Sequence, residues 1–298
     1  MSAIWKRLLL FVLGAAFCVL LYLFLLNFPP VSLRSRTAGV IPVMALAAST
    51  AWLTARFLRA DGLSAAVLGI GRGDRPVARF GLGFLAGCGL TGLWLGIVTM
   101  AAGASWHRNP TFSVLALLLA AAFNFFNNTG EELVYRGYLF VRLADAWGAT
   151  LTVLVTSGAF ALLHLQAGIP WLSVLAGVFT SGLIFAAIFA RWRSLPLALG
   201  FHVATNIAQD VAGLRTGAAS LFAPKYPAGA PGSGQAVLAG IAVLNVAVAI
   251  GILAWPRRQR GAGSRSGLPG LSSGLRRITP DAVEISQNSD HFSDVDGN

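Results

Sequence analysis

Long apolar runs, broken by short polar stretches, dominate this chain. They cover about residues 8–28, 39–58, 80–103, 111–140, 149–165, 171–190, 195–213 and 236–255. A helix needs roughly 20 apolar residues to cross a hydrocarbon core of about 30 Å. Backbone in that core must satisfy its own hydrogen bonds, so a span is a helix or part of a closed barrel. Barrel strands alternate apolar and polar positions. These runs are continuously apolar and rich in Leu, Ala and Gly, so the pattern predicts an all-α polytopic membrane protein with about eight transmembrane helices. Pro29 and Pro30 end the first run, and residues 1–58 hold the first two spans. Residues 59–79 form a basic loop, 80–213 a core, and 214–255 a Gly/Pro/Ala-rich loop with the last span. From residue 256 the chain turns basic, then Gly/Ser-rich, then acidic. So little apolar surface cannot offset chain entropy, and a disordered tail is expected there.

Composition agrees with this picture. The 298 residues are 56% hydrophobic and 11% charged, against about 25% charged in soluble domains. The net charge of +11 does not indicate nucleic acid, because the basic residues sit at span ends and in the tail. With the N-terminus inside, inner segments hold Lys6, Arg7, Arg56, Arg59, Arg72, Arg75, Arg79, Arg142, Arg191, Arg193, Arg257, Arg258 and Arg260. Outer segments hold only Arg34, Arg36, Arg108, Arg215 and Lys225. That bias puts both termini in the cytoplasm of a cell-membrane protein. Lys6 and Arg7 followed by an apolar stretch resemble a signal peptide, but the stretch is longer than an h-region and reads as a retained span. Cys18 and Cys88 both lie in apolar runs and indicate neither a disulfide framework nor a zinc cluster.

Ionisable groups inside spans cost about 2.5–3.5 kcal/mol each on insertion scales and mark function. The fourth run reads FNFFNNTGEELVYRGYLF, with Glu131 and Glu132 adjacent and Arg136 four residues after Glu132. Asn124 and Asn128 extend that face by one and two turns. The fifth run carries His164 four residues after Phe160; the seventh carries His202, Asn206 and Asp210 at one-turn intervals. If the fourth helix continues to Leu143, Glu131 lies about 18 Å from the inner surface, His164 about 22 Å and His202 about 10 Å, at 1.5 Å per residue. Glu132 and Arg136 read as a structural pair, Asn124 and Asn128 as interhelical hydrogen-bonding groups, and Phe160 as packing beneath the histidine. A carboxylate and an imidazole can polarise a water between them, while a second His and an Asn donate to a developing oxyanion. Glu131, His164 and His202 could instead hold Zn²⁺. The residues alone leave the two mechanisms open.

EELVYR (Glu131, Glu132, Arg136), FALLH (Phe160, His164) and HVATN (His202, Asn206) resemble the EExxxR, FxxxH and HxxxN/D series of the CPBP family. That family comprises the type II CAAX prenyl endopeptidases and the bacteriocin-processing or immunity proteins, also called Abi. AVLGIGR, Ala66 to Arg72, resembles a stretch many members carry before the third span. The resemblance implies an eight-span intramembrane protease opening to the cytoplasm. Its substrate would be a peptide or protein, prenylated or otherwise membrane-bound. By carry-over Glu131 and His164 activate water, His202 and Asn206 stabilise the oxyanion, and Glu132 and Arg136 support the site. The alternatives are a non-catalytic immunity or partner-binding protein on the same scaffold, and a proton-coupled transporter. Against the transporter stands the lack of an internal repeat.

Overall fold

A computed structural model describes residues 3–27, 36–215, 217–227 and 233–256. The expected stop at Pro29–Pro30 and the expected disordered tail lie outside the described residues. The helices are α1 (Ala3–Asn27), α2 (Arg36–Ala60), α3 (Pro76–Ala102), α4 (Val114–Arg136), α5 (Tyr138–Trp147) and α6 (Ala149–His164). Then α7 (Trp171–Ser173), a π-helical stretch (Val174–Phe179) and α8 (Thr180–Trp192) run on as one segment, followed by α9 (Leu195–Val211) and α10 (Ser233–Ala254). The chain is an all-α, multi-pass membrane protein. One element was not anticipated: β1 (Ser105–Arg108) pairs antiparallel with β2 (Phe222–Lys225).

Among the described residues, six helical segments are long and apolar enough to cross a membrane: Ile4–Leu26, Gly39–Ala60, Pro76–Ala102, Ala149–Ala167, Trp171–Trp192 and Gly234–Ala254. The other two predicted runs are α4 and α9. The first is long but carries Asn124, Asn127, Asn128, Glu131, Glu132 and Arg136; the second has 17 residues and carries His202, Asn206 and Asp210. Their polar faces meet inside the bundle, which is why their composition is the least lipid-like. The segment Trp171–Trp192 has 56% of its apolar window buried, against 17% for Ile4–Leu26 and 11% for Gly234–Ala254. The first and last helices therefore form the rim. On α1, Leu10, Leu13, Phe17, Leu20 and Phe24 are all exposed. So continuous an apolar surface suits lipid and not water.

Contacts sort the loops to two ends. At one end Asp61, after α2, accepts hydrogen bonds from Arg7 of α1 and from Tyr138 and Arg142 of α5. The Trp5 and Trp147 rings meet at the same end, and Arg191 donates to the carbonyls of Trp255 and Pro256. At the other end the ribbon ties the exit of α3 to the segment after α9, and Ser113 N donates to Ala218 O at 2.8 Å.

Two local features position the site. Both helices that carry it start at a serine cap: Ser113 Oγ accepts from Ala116 N, and Ser194 Oγ accepts from Leu197 N. Such a cap satisfies one of the orphan N–H groups of the first turn. Small residues then let α3 and α9 touch backbone to backbone. A methyl added at Gly83 would collide with the Leu197 carbonyl oxygen, and one at Gly200 with that of Phe80. This is the close approach that small residues permit between membrane helices.

The fourth apolar run is not one helix. It breaks at Gly137, whose backbone (φ −78°, ψ −133°) leaves the helical region. A Cβ there would strike the Leu133 carbonyl oxygen, so glycine is required. α4 ends at Arg136, five residues beyond Glu131 and not twelve. At 1.5 Å per residue Glu131 lies about 8 Å from the end of its helix, close to the depth expected for His202.

Candidate active site

The geometry builds outward from Glu132. Its side chain and that of Arg136 are fully buried and form an ion pair at 3.2 Å along one face of α4. Arg136 Nη2 also donates to the Gly182 carbonyl of α8 at 2.9 Å. The guanidinium carbon lies 5.1, 5.6 and 5.8 Å from the ring centres of Phe160, Phe185 and Tyr135. A guanidinium is weakly hydrated and stacks on aromatic faces, so Arg is the cation suited to such a box.

His202 reaches this pair from α9, with Nδ1 2.9 Å from Glu132 Oε1. A carboxylate paired with Arg136 only accepts, so Nδ1 carries the proton and Nε2 is the free edge. That edge lies 3.6 Å from Glu131 Oε2. This is too long for a hydrogen bond, but one water can bond both atoms. Phe185 stacks on the imidazole with centroids 4.1 Å and planes 23° apart. The two adjacent glutamates differ sharply in exposure: the Glu131 side chain is 18% exposed and that of Glu132 not at all. Asn127 Nδ2 donates to Glu131 Oε1 at 2.9 Å, one turn back along α4.

His164 closes α6. Its Nδ1 donates to the Phe160 carbonyl at 2.8 Å, which turns Nε2 outward as an acceptor. Both imidazoles pack on the Phe160 ring, at centroid distances of 4.5 Å for His164 and 5.8 Å for His202. Phe160 therefore joins the two histidines as well as packing beneath one. Direct contact with the glutamates comes from His202.

A second polar cluster crosses from α4 to α9. Asn124 Nδ2 donates to Asp210 Oδ2 at 2.7 Å, and Asn206 Nδ2 donates to Asn128 Oδ1 at 3.0 Å. Arg215, beyond α9, donates to Asn206 Oδ1 at 2.7 Å. Asn124 and Asn128 are thus interhelical hydrogen-bonding groups, and the Asn206 amide nitrogen is turned toward Asn128. Sequence reasoning counted Arg215 only as a loop charge. It also passed over Asn245, a fully buried amide of α10 that accepts from Trp94 and donates to Thr180. A polar residue inside the last apolar run was the available signal.

The zinc alternative finds no support in the donor geometry. Both imidazoles have Nδ1 engaged, as zinc-bound histidines do. However, among the described residues no three His, Cys, Asp or Glu side chains converge as a metal-holding group. Glu131, His164 and His202 do not form one.

What the arrangement can do is hold a water between a partly exposed carboxylate and an imidazole whose tautomer is set. Residues 110–208 match the family described as Type II CAAX prenyl endopeptidase Rce1-like. The chain carries an Rce1-like domain. All three motifs, EELVYR, FALLH and HVATN, lie inside the matched residues of that Rce1-like domain, as do α4, α6, α8 and the site-bearing part of α9. No curated protein and no solved structure matches the chain.

Proposed function

We propose that the chain is an intramembrane endopeptidase that hydrolyses a peptide bond near a membrane-bound or prenylated C-terminus. The observation that carries this reading is the Glu131–His202–Glu132 arrangement, with its graded exposure of the two carboxylates. Glu131 is the general base. It takes a proton from a water as the water oxygen bonds to the scissile carbonyl carbon and the carbonyl electrons move onto oxygen. On collapse the C–N bond breaks, and the proton held by Glu131 passes to the departing amine. His202, oriented by Glu132, accepts the second hydrogen of that water at its unprotonated Nε2. His164 serves the same step from α6, its Nε2 an acceptor for the intermediate's hydroxyl proton, while Asn206 serves the oxyanion side. Glu132 and Arg136 hold α4, α8 and α9 in register.

Eight crossings with both termini cytoplasmic fit this reading. The bias in Lys and Arg supports it, and so does the grouping of loops at two ends: Arg7, Asp61, Arg142 and Arg191 at one, the ribbon at the other. α4 and α9 then complete the eight, with their polar faces turned from lipid.

The test is comparative peptidomics of membranes holding wild type or Glu131→Gln. Peptides present only with the wild type are expected. Identical peptide profiles would remove the reading.

A further inference from the structure

Asn128 lies outside the three motifs. Its side chain is fully buried, and among the described residues its Nδ2 has no hydrogen-bond partner. Buried polar groups are nearly always partnered, and one that is not calls for an explanation in function.

The orientation of that amide follows from its neighbours. A guanidinium has only donors, so the Asn206 atom 2.7 Å from Arg215 Nη2 is oxygen. The other Asn206 terminus is then the NH₂ group. The Asn128 atom it meets at 3.0 Å must accept and is oxygen. Nδ2 of Asn128 is therefore the open end of a directed chain that runs from Arg215 through Asn206 to Asn128. The cation sits at the far end. Asp210, which itself accepts from Asn124, lies 4.0 Å from it. Hydrogen bonds in such chains polarise one another in a low-dielectric interior. The open donor also lies on the correct helix face, since Asn128 precedes Glu131 by three residues and Glu132 by four.

We propose that Asn128 Nδ2 donates the hydrogen bond that stabilises the oxyanion, and that Arg215 acts through Asn206 to orient and polarise it. This rests on the hydrolase reading above. It makes Asn128 a catalytic residue, Asn206 the relay and Arg215 a positioning residue. When the attacking water oxygen bonds to the carbonyl carbon, the electron pair moves to the carbonyl oxygen and meets a donor already dehydrated by burial. Such a donor costs no reorganisation at the moment of reaction.

The experiment uses full-length protein in liposomes and, as probe, the peptide whose cleavage distinguishes wild-type from Glu131→Gln membranes. Asn128→Asp keeps the acceptor for Asn206 and removes the donor. It is expected to lower kcat about 100- to 1,000-fold, the usual effect of losing one such donor, with KM little changed. Arg215→Met should lower kcat measurably but by less than Asn128→Asp does, an effect reached through cooperative polarisation, and Arg215→Lys should restore most of it. Wild-type kcat in Asn128→Asp, or in Arg215→Met, overturns the inference. Should Asn128→Asp fail to accumulate, Arg215→Met and its rescue by Lys decide alone. Full activity in Asn128→Asp beside an inactive Glu131→Gln removes this inference and leaves the hydrolase. A fully active Glu131→Gln removes both.

Discussion

His202 places its Nδ1 2.9 Å from Glu132, a carboxylate with no exposure to solvent, while its Nε2 edge lies 3.6 Å from the partly exposed Glu131. One imidazole thus separates two neighbouring carboxylates of the same helix into different roles. Glu132 is tied down by Arg136 and the histidine; Glu131 is held by one amide and is accessible.

The Glu132–Arg136 pair should be a stability element. Arg136→Ala leaves a buried carboxylate unpaired, and breaking a buried pair costs about 3–5 kcal/mol. A large drop in Tm of the detergent-purified protein, or poor accumulation, is expected. An unchanged Tm would show that the pair is dispensable.

Glu131 and His164 should act as a unit. Glu131→Gln keeps the shape of the side chain and removes the base, and an amide is cheaper to bury than a carboxylate, so folding should persist. Each of Glu131→Gln and His164→Ala should lose most of the turnover, and the double variant little more, because groups serving one step are strongly non-additive. Multiplicative losses in single-turnover assays would separate their roles.

Asp61 makes the cluster of Arg7, Tyr138 and Arg142 pH-sensitive. Burial pushes its carboxyl up, but hydrogen bonds from Tyr138, Arg7 and Arg142 and the Arg142 charge outweigh that and hold it below its ordinary value of 3.8. A depressed folded value means the stabilisation is complete above the ordinary value. It fades as pH falls through the folded one. The Tm advantage of wild type over Asp61→Asn should therefore be constant near neutrality and shrink below about pH 4. An advantage that grows on acidification would contradict the cluster.

Reporter fusions check the orientation. Fusions at residues 105 and 225 should report the outside, and those at 70, 145 and 192 the cytoplasm. The paired pattern matters: 105 and 225 lie on partnered strands, so opposite signals from these two would refute the ribbon as well as the topology.

Much of this protein follows from local sequence. Lipid demands long apolar helices, so the spans are readable one segment at a time, and the runs of α4 and α9 stand out by the polar residues they carry. The Glu132–Arg136 pair is equally local, since residues four apart share a helix face. The tertiary structure decided which groups meet. Gly137 ends α4 early because its backbone leaves the helical region, so Glu131 lies five residues from the end of its helix and not twelve. The Asn206–Asn128 hydrogen bond and the β1–β2 ribbon join residues 78 or more apart in sequence. No spacing rule reaches across such distances, because contact between helices depends on their relative depth, rotation and approach. Here those were set by the serine caps, the small residues between α3 and α9, and the break at Gly137.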